Sequence, residues 1–345
     1  RAATTLSHHI DLQKGGLQGA PKFPQPFLYQ FLWQQAQLDD NADARHAVIV
    51  TLEKICQGGL YDHIGGGFAR YSVDADWLVP HFEKMLYDNA LLVQLMTQVW
   101  RDTRSPLLAA RIGETLDWVA REMTLDDTSF AASLDADTDG EEGKFYVWSK
   151  AEVETLLAGE KTATLFCQTY NLTDAGNFEG HNIANLLAQG DRVQDGFAQA
   201  RNTLLQARNQ RTLPGRDDKL LADWNGMMIA AMAQAAMVFE RDDWLTQAKS
   251  AFAAARKSLT DAKGHLRHSA RDGRLLPVSL STDYAFMGQA ALALYQASSE
   301  APYLDYAKLC ADTLQADFYD DPLAGGRGGY LANRQAEAYD VLVNN

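Results

Sequence analysis

Cysteine is scarce in this sequence, with three among 345 residues. Cys56, Cys167 and Cys310 lie far apart, with no C-x-x-C pair and no metal-ligand spacing. That pattern excludes a disulfide framework or zinc ribbon and points to buried, inert thiols in a reducing, cytoplasmic setting. Basic charge is also short: 31 Lys and Arg against 45 Asp and Glu leave a formal net charge of -14. Nucleic acid or an anionic membrane surface would need a positive footprint that is missing here. No run of about 18 apolar residues exists to cross a membrane, and the opening RAATTLSHHI has no signal-peptide core. P-loop, Rossmann, G-x-S-x-G and HExxH motifs are absent, which leaves nucleotide transfer, serine hydrolysis and zinc proteolysis unsupported. An opening residue other than Met and an end at VLVNN are read as the edges of a longer protein.

What is present is ordinary globular composition, 46% hydrophobic and 22% charged, with a strong helical period. Apolar spacings of three and four predict helices over Pro26–Leu38 and Ala42–Cys56, then Phe82–Trp100 and Leu107–Met123. Further helices are expected over Lys150–Ala158, Lys161–Tyr170, Asp191–Ala207, Asp218–Phe239, Asp243–Leu259, Asp283–Ala297 and Tyr303–Phe318. Short polar turns join them into αα-hairpins. Four loops after such hairpins share a glycine followed by an aromatic or apolar alternation: GGFARY at Gly66, GKFYVW at Gly143, GHLRHS at Gly264 and GGYLAN at Gly328. Loops recurring at one phase of a helix-pair repeat emerge on one face. The expected architecture is therefore a single all-α domain over residues 1–345, an α/α toroid whose loops surround a central cavity.

Chemistry concentrates in those loops. The stretch from Gly58 to Leu92 combines glycine runs with His63, His81, Tyr61, Arg70, Trp77, Glu83, Lys84 and Asp88. Glu83 in a first helical turn would suit the helix dipole, and Lys84 with Asp88 has the spacing of a helix-face pair. A functional reading instead points His81, Lys84 and Asp88 together at whatever the loop encloses. Asp135-Ala136-Asp137-Thr138-Asp139-Gly140 opens like an EF-hand, but the twelfth position is Tyr146, so that calcium loop is rejected. Asp135, Asp137 and Glu142 then become acceptors for hydroxyl groups or an acid/base set, with Tyr146 and Trp148 as a stacking surface. Asn177 and His181 suit hydroxyl recognition as well as ordinary turns. Asp223-Trp224-Asn225-Gly226 are poor helix-interior residues inside a helical run, which suggests that Asp223 and Trp224 face a cavity. Asp283-Tyr284 follows a Ser281-Thr282 helix start, where capping competes with a binding role.

Taken together, GAPKFP at Gly19, GGLYDHIGGGFARYSVDADWLVPHFEKMLYDNA from Gly58, DADTDGEEGKFYVW from Asp135, GNFEGHNI from Gly176, LLADWNGMMIAAMA from Leu220 and DYA from Asp283 carry a resemblance. The chain resembles the family of thioredoxin-domain-containing proteins related to spermatogenesis-associated protein 20. The resemblance implies an (α/α)6 toroid of six-hairpin glycosidase type, similar to N-acylglucosamine 2-epimerase and unsaturated glucuronyl hydrolases. It also implies a thioredoxin-like domain as partner in the full-length protein; no such domain lies in this sequence. The Pro-Ser-Gly-Asn segment and closing helices expected after Val341 are missing too.

The expected function is a carbohydrate-active domain binding a sugar-like small molecule without metal or cofactor. An epimerase would use His63 with His81 or His181 as base and acid. A hydrolase would draw its carboxylates from Asp88, Asp135 and Asp223. The contrasting expectation is a non-catalytic module that holds a ligand or client for the thioredoxin-like domain.

Overall fold

The computed structural model describes residues 2–157, 159–189, 195–324 and 326–333. Its helices are α1 (Ala2–Ser7), α2 (Pro26–Asp39), α3 (Ala42–Gln57), α4 (Leu86–Thr103), α5 (Pro106–Trp118), α6 (Lys150–Leu156), α7 (Glu160–Thr169), α8 (Ala198–Arg208), α9 (Ala222–Phe239), α10 (Asp242–Leu259), α11 (Ser281–Ser298) and α12 (Ala301–Thr313). Strands of two or three residues decorate the connections. Local chemistry explains many of the helix ends. Pro26 and Pro106 sit in first turns, where their missing N–H costs nothing. Asn41 caps α3 by accepting the Ala44 N–H at 3.0 Å, and Ser149 caps α6 by accepting that of Glu152 at 3.1 Å.

The chain divides into two compact units. One comprises residues up to Arg121 together with Ser133–Arg216; the other comprises Glu122–Ala132 with the residues from Asp217 onward. In the first unit α2 packs on α3 and α4 on α5, with α2 also against α4. In the second, α9 packs against both α10 and α11, and α11 against α12. Helix α9 is buried almost all round, as its Ala/Met-rich sequence requires. Gly226 permits the approach of α9 to α11, since a Cβ there would lie 2.5 Å from the Phe286 carbonyl carbon.

Several helix boundaries differ from the sequence expectation for one reason. Lys84–Met85 pair antiparallel with Ser133–Leu134, so α4 starts at Leu86 rather than Phe82. Likewise Leu220–Leu221 pair with Ser269–Ala270, and α9 starts at Ala222 rather than Asp218. Strand pairing overrides helical periodicity in both places. Leu107–Met123 and Tyr303–Phe318 do not run through as α-helix: π-helical turns at Val119–Met123 and Leu314–Phe318 complete them. The expected helix start at Asp191 lies outside the described residues, as do Ala158 and the Val341 end.

A repeated latch joins three of the loops to an adjacent helix: α4, α9 and α11. The side-chain amide of Asn89 accepts the Phe68 N–H at 2.7 Å and donates to the carbonyls of Phe68 (3.0 Å) and Met85 (2.9 Å). Asn225 repeats the arrangement on Phe130 (2.9 Å both ways) and Leu221 (3.0 Å). At α11 the Tyr284 hydroxyl takes over, accepting the Leu266 N–H at 3.1 Å. All three clasping residues occupy the fourth position of their helices.

Candidate functional site

In the first unit the late start of α4 breaks the expected shared face of His81, Lys84 and Asp88, and Glu83 lies before the helix rather than in its first turn. Lys84 instead turns inward, 2% exposed, donating to Asp62 at 2.8 Å and to the Gly66 carbonyl at 2.7 Å. Arg208 meets the same carboxylate at 2.9 Å. Burial opposes ionisation of Asp62, but Arg208 and Lys84 outweigh it and hold the carboxyl well below the usual carboxylate range. This triad ties the Gly58 loop to α8.

His63 is likewise turned inward and buried. Its Nε2 faces the carbonyls of Gly58 (2.9 Å) and Gln57 (3.2 Å), and Arg111 faces Nδ1 at 3.3 Å. Those partners assign the proton to Nε2. Burial first, and the Arg111 charge second, push the imidazole down to about 3 and favour its neutral form. Tyr61 is buried on Glu114 at 2.5 Å, Trp77 donates to the Lys14 carbonyl at 2.9 Å, and Trp148 packs in the core. Tyr146 stacks on Phe82 with centroids 5.6 Å apart. Asn177 closes its own turn on Ile183, while Asn225 and Tyr284 serve as latches. These residues are tied into the scaffold, and Tyr61, His63 and Tyr146 also line a small pocket with Lys84.

Other expected residues do converge. His81 Nδ1 lies 2.7 Å from Glu142, its Nε2 lies 3.8 Å from Glu83, and Arg70 reaches Glu83 at 3.1 Å. Arg70 continues to the Tyr87 phenol, which hydrogen-bonds Asp88. A polar array thus runs Glu142–His81–Glu83–Arg70–Tyr87–Asp88. Asp88 ends it, 7% exposed, with Oδ2 lacking a hydrogen-bond partner among the described residues. Burial pushes its carboxyl up to about 7, against the pull of Arg70 and Tyr87. Near neutrality a large share of it keeps a proton that it can give away. Beside the array, Pro80 and Glu142 form part of the wall of a cleft of about 840 Å³, with Phe145, Phe178, His181 and Arg211. Asp135 and Asp137 are exposed, hydrogen-bonded to each other through the Asp137 N–H at 3.3 Å.

In the second unit Asp223 and Trp224 belong to the first turn of α9 rather than a helix interior, and Asp223 accepts the Trp224 N–H at 2.9 Å. Asp283 accepts the Leu280 N–H at 2.7 Å, acting as a cap, and also meets His268 at 2.8 Å. Asp223, His268 and Asp283 place one oxygen or nitrogen each within 4.8 Å of one another. Sequence reading found both aspartates and missed His268, as it missed Asp62 and Arg208. The phase of the GHLRHS loop, whose RHS puts His268 just before a strand, was the available signal.

No helix of the described residues is long and apolar enough to cross a membrane. No protein-family model matches the chain. It is 32% identical to human spermatogenesis-associated protein 20 over 96% of its own length, and it spans about half the length of the curated relatives it matches, 48% for the human protein. Among solved structures, unsaturated glucuronyl hydrolase from Bacillus sp. GL1 superposes with a TM-score of 0.58 at 12% identity, covering 95% of this chain and 69% of that one. A GH76 α-mannanase from Bacteroides thetaiotaomicron gives 0.54 at 10% identity, with coverage of 91% and 63%. These likenesses establish the all-α, six-hairpin (α/α)6 toroid class as the fold. The curated homologues of this chain are thus spermatogenesis-associated protein 20 and its relatives, about half of whose length it matches, and the chain itself has the six-hairpin fold.

Proposed function

We propose that this chain is a carbohydrate-active domain of hydrolase type in which Asp88 is the proton donor. The observation that carries the reading is Asp88 itself: a buried carboxyl, one oxygen without a hydrogen-bond partner among the described residues, poised at about 7. In a glycoside-cleaving step such a group gives its proton to the departing sugar oxygen as the C–O bond breaks. The carboxylate left behind is stabilised by Arg70 and Tyr87. Fold likeness to an unsaturated glucuronyl hydrolase and an α-mannanase supports the substrate class by analogy. The cleft beside Glu142 has the volume of a small-ligand site, and its mixture of acidic, basic and aromatic walls suits a hydroxyl-rich, sugar-like molecule. On this reading the domain works beside a thioredoxin-like domain in a longer, cytoplasmic protein; the greater length of the relatives supports a further domain.

A panel of oligosaccharides and uronic-acid-terminated disaccharides, assayed for new reducing ends and for epimer exchange, tests the proposal. Turnover that falls about 100-fold or more in Asp88→Asn, with the fold intact, is the expected result. Tight sugar or client binding with no turnover would instead identify a non-catalytic module that serves the thioredoxin-like domain.

A further inference from the structure

The strands Leu220–Leu221 and Ser269–Arg271 run side by side, and the Ala222 N–H donates to the His268 carbonyl at 2.9 Å. That pairing carries His268 to the start of α9, next to Asp223. The first turn of α11 brings in Asp283, which is fully buried. Its two oxygens are both used: Oδ2 accepts the Leu280 N–H and Oδ1 faces His268 Nδ1 at 2.8 Å. The imidazole is thereby oriented through one nitrogen by a carboxylate that cannot itself reach solvent. Its other nitrogen, Nε2, has no hydrogen-bond partner among the described residues, and the side chain keeps 24% exposure. Asp223 stands within the same 4.8 Å, fixed by Thr282 at 3.3 Å and the Trp224 N–H. Trp224 is half-buried alongside.

We propose that His268 is a catalytic acid/base group of the second unit, with Asp283 as its positioning residue and Asp223 as the neighbouring proton partner, acting on an O–H group of a sugar-like substrate. A carboxylate that holds one imidazole nitrogen fixes the tautomer and stabilises the imidazolium, leaving the other nitrogen to work. In the step, the O–H bond breaks, the proton forms an N–H bond at Nε2, and the electron pair stays on oxygen. The imidazolium so formed is neutralised by Asp283. The hydrogen bond to Asp283 also raises the affinity of His268 for its proton, with Asp223 adding to this and Lys219 opposing it. Burial and the negative charge of Asp283 raise Asp223 as well, so this carboxyl retains a proton more readily than an exposed one.

The inference rests on the carbohydrate reading above but assigns a residue that reading does not use. On a sugar turned over by the wild-type chain, His268→Asn is expected to lower kcat about 100-fold or more while KM changes by less than about threefold. Imidazole added to His268→Ala is expected to restore part of the rate. Asp283→Asn should shift the limb of the pH–rate profile that belongs to the imidazole toward lower pH. Nitrogen-15 spectra of the His268 ring, recorded on the whole chain, should show the same downward shift without any assay of activity. Turnover that survives His268→Ala at the wild-type rate overturns this inference and leaves the carbohydrate reading standing. Absence of turnover across the whole panel overturns both. Stoichiometric binding of manganese or zinc that is lost in Asp223→Asn and needed for turnover would also overturn it, since the three side chains would then be metal ligands. Circular dichroism and melting of each variant separate lost chemistry from lost fold.

Discussion

The carboxamide of Asn89 closes around Phe68 in the same way that the carboxamide of Asn225 closes around Phe130. Each amide accepts one backbone N–H and donates to two carbonyls, so a loop and the first turn of the next helix become one piece. Asp88 and Asp223, the residues with raised carboxyls, lie one and two positions before these latches. A latch and a raised carboxyl thus share the same turn of helix.

Loss of a latch should be expensive. Asn89→Ala removes three buried hydrogen bonds and strands the Phe68 N–H and carbonyl, for about 2–4 kcal/mol. Asn89→Asp keeps the shape but turns an acceptor toward two carbonyls, and is expected to destabilise as well. Urea unfolding of the two variants checks this; a loss below about 0.5 kcal/mol in both would refute the latch.

Asp88→Asn should have the opposite sign at alkaline pH. The folded carboxyl is raised from 3.8 to about 7, so its contribution to stability is fully present below about pH 4 and is lost as pH rises through about 7. Wild-type stability is therefore predicted to fall across that window relative to the neutral variant. At pH 8 Asp88→Asn is expected to be more stable by on the order of 1–3 kcal/mol, with the advantage shrinking toward pH 4. Melting curves of the pair at several pH values provide the test.

The buried Asp62, Lys84 and Arg208 triad predicts an asymmetry. Asp62→Asn leaves two cations without their shared carboxylate and should cost about 3–5 kcal/mol. Lys84→Met leaves a matched Asp62–Arg208 pair and is expected to cost at least about 2 kcal/mol less. Because Asp62 is held below its ordinary value, its contribution is present above the unfolded carboxylate range and is lost only as pH falls through the depressed folded value. Equal denaturation midpoints for the two variants would contradict the arrangement.

Arg70 is the charge that pulls Asp88 back toward ionisation. Arg70→Met should therefore raise the Asp88 carboxyl further, and the measured limb of any pH–rate profile due to Asp88 should move to higher pH. Carbon-13 chemical shifts of the Asp88 carboxyl offer the same reading without turnover. A shift toward lower pH would show that Asp88 answers to another group.

Much of the helical framework was legible in the residues because its determinants are local. Apolar periodicity, Pro26, Pro106, Asn41 and Ser149 mark helix faces and ends within a few neighbours. The loop phases and the Gly58 and Leu220 motifs likewise pointed to the family and the toroid class. Helix starts at Leu86 and Ala222 were misplaced because strand partners distant in sequence decide them.

Which polar side chains are buried among partners and which stand beside a cleft was decided only by the tertiary structure. His63 and His81 are equally reactive on paper, yet one is buried between two carbonyls and Arg111 while the other reaches Glu142. A side chain's proton affinity depends on desolvation and on charges brought close by folding, and neither is written in its own neighbourhood of sequence. For the same reason His268 stayed invisible until strand pairing set it beside Asp223 and Asp283. The residues alone determine most of the helices and which relatives they resemble; folding determines which of their polar groups are buried and which stay reachable.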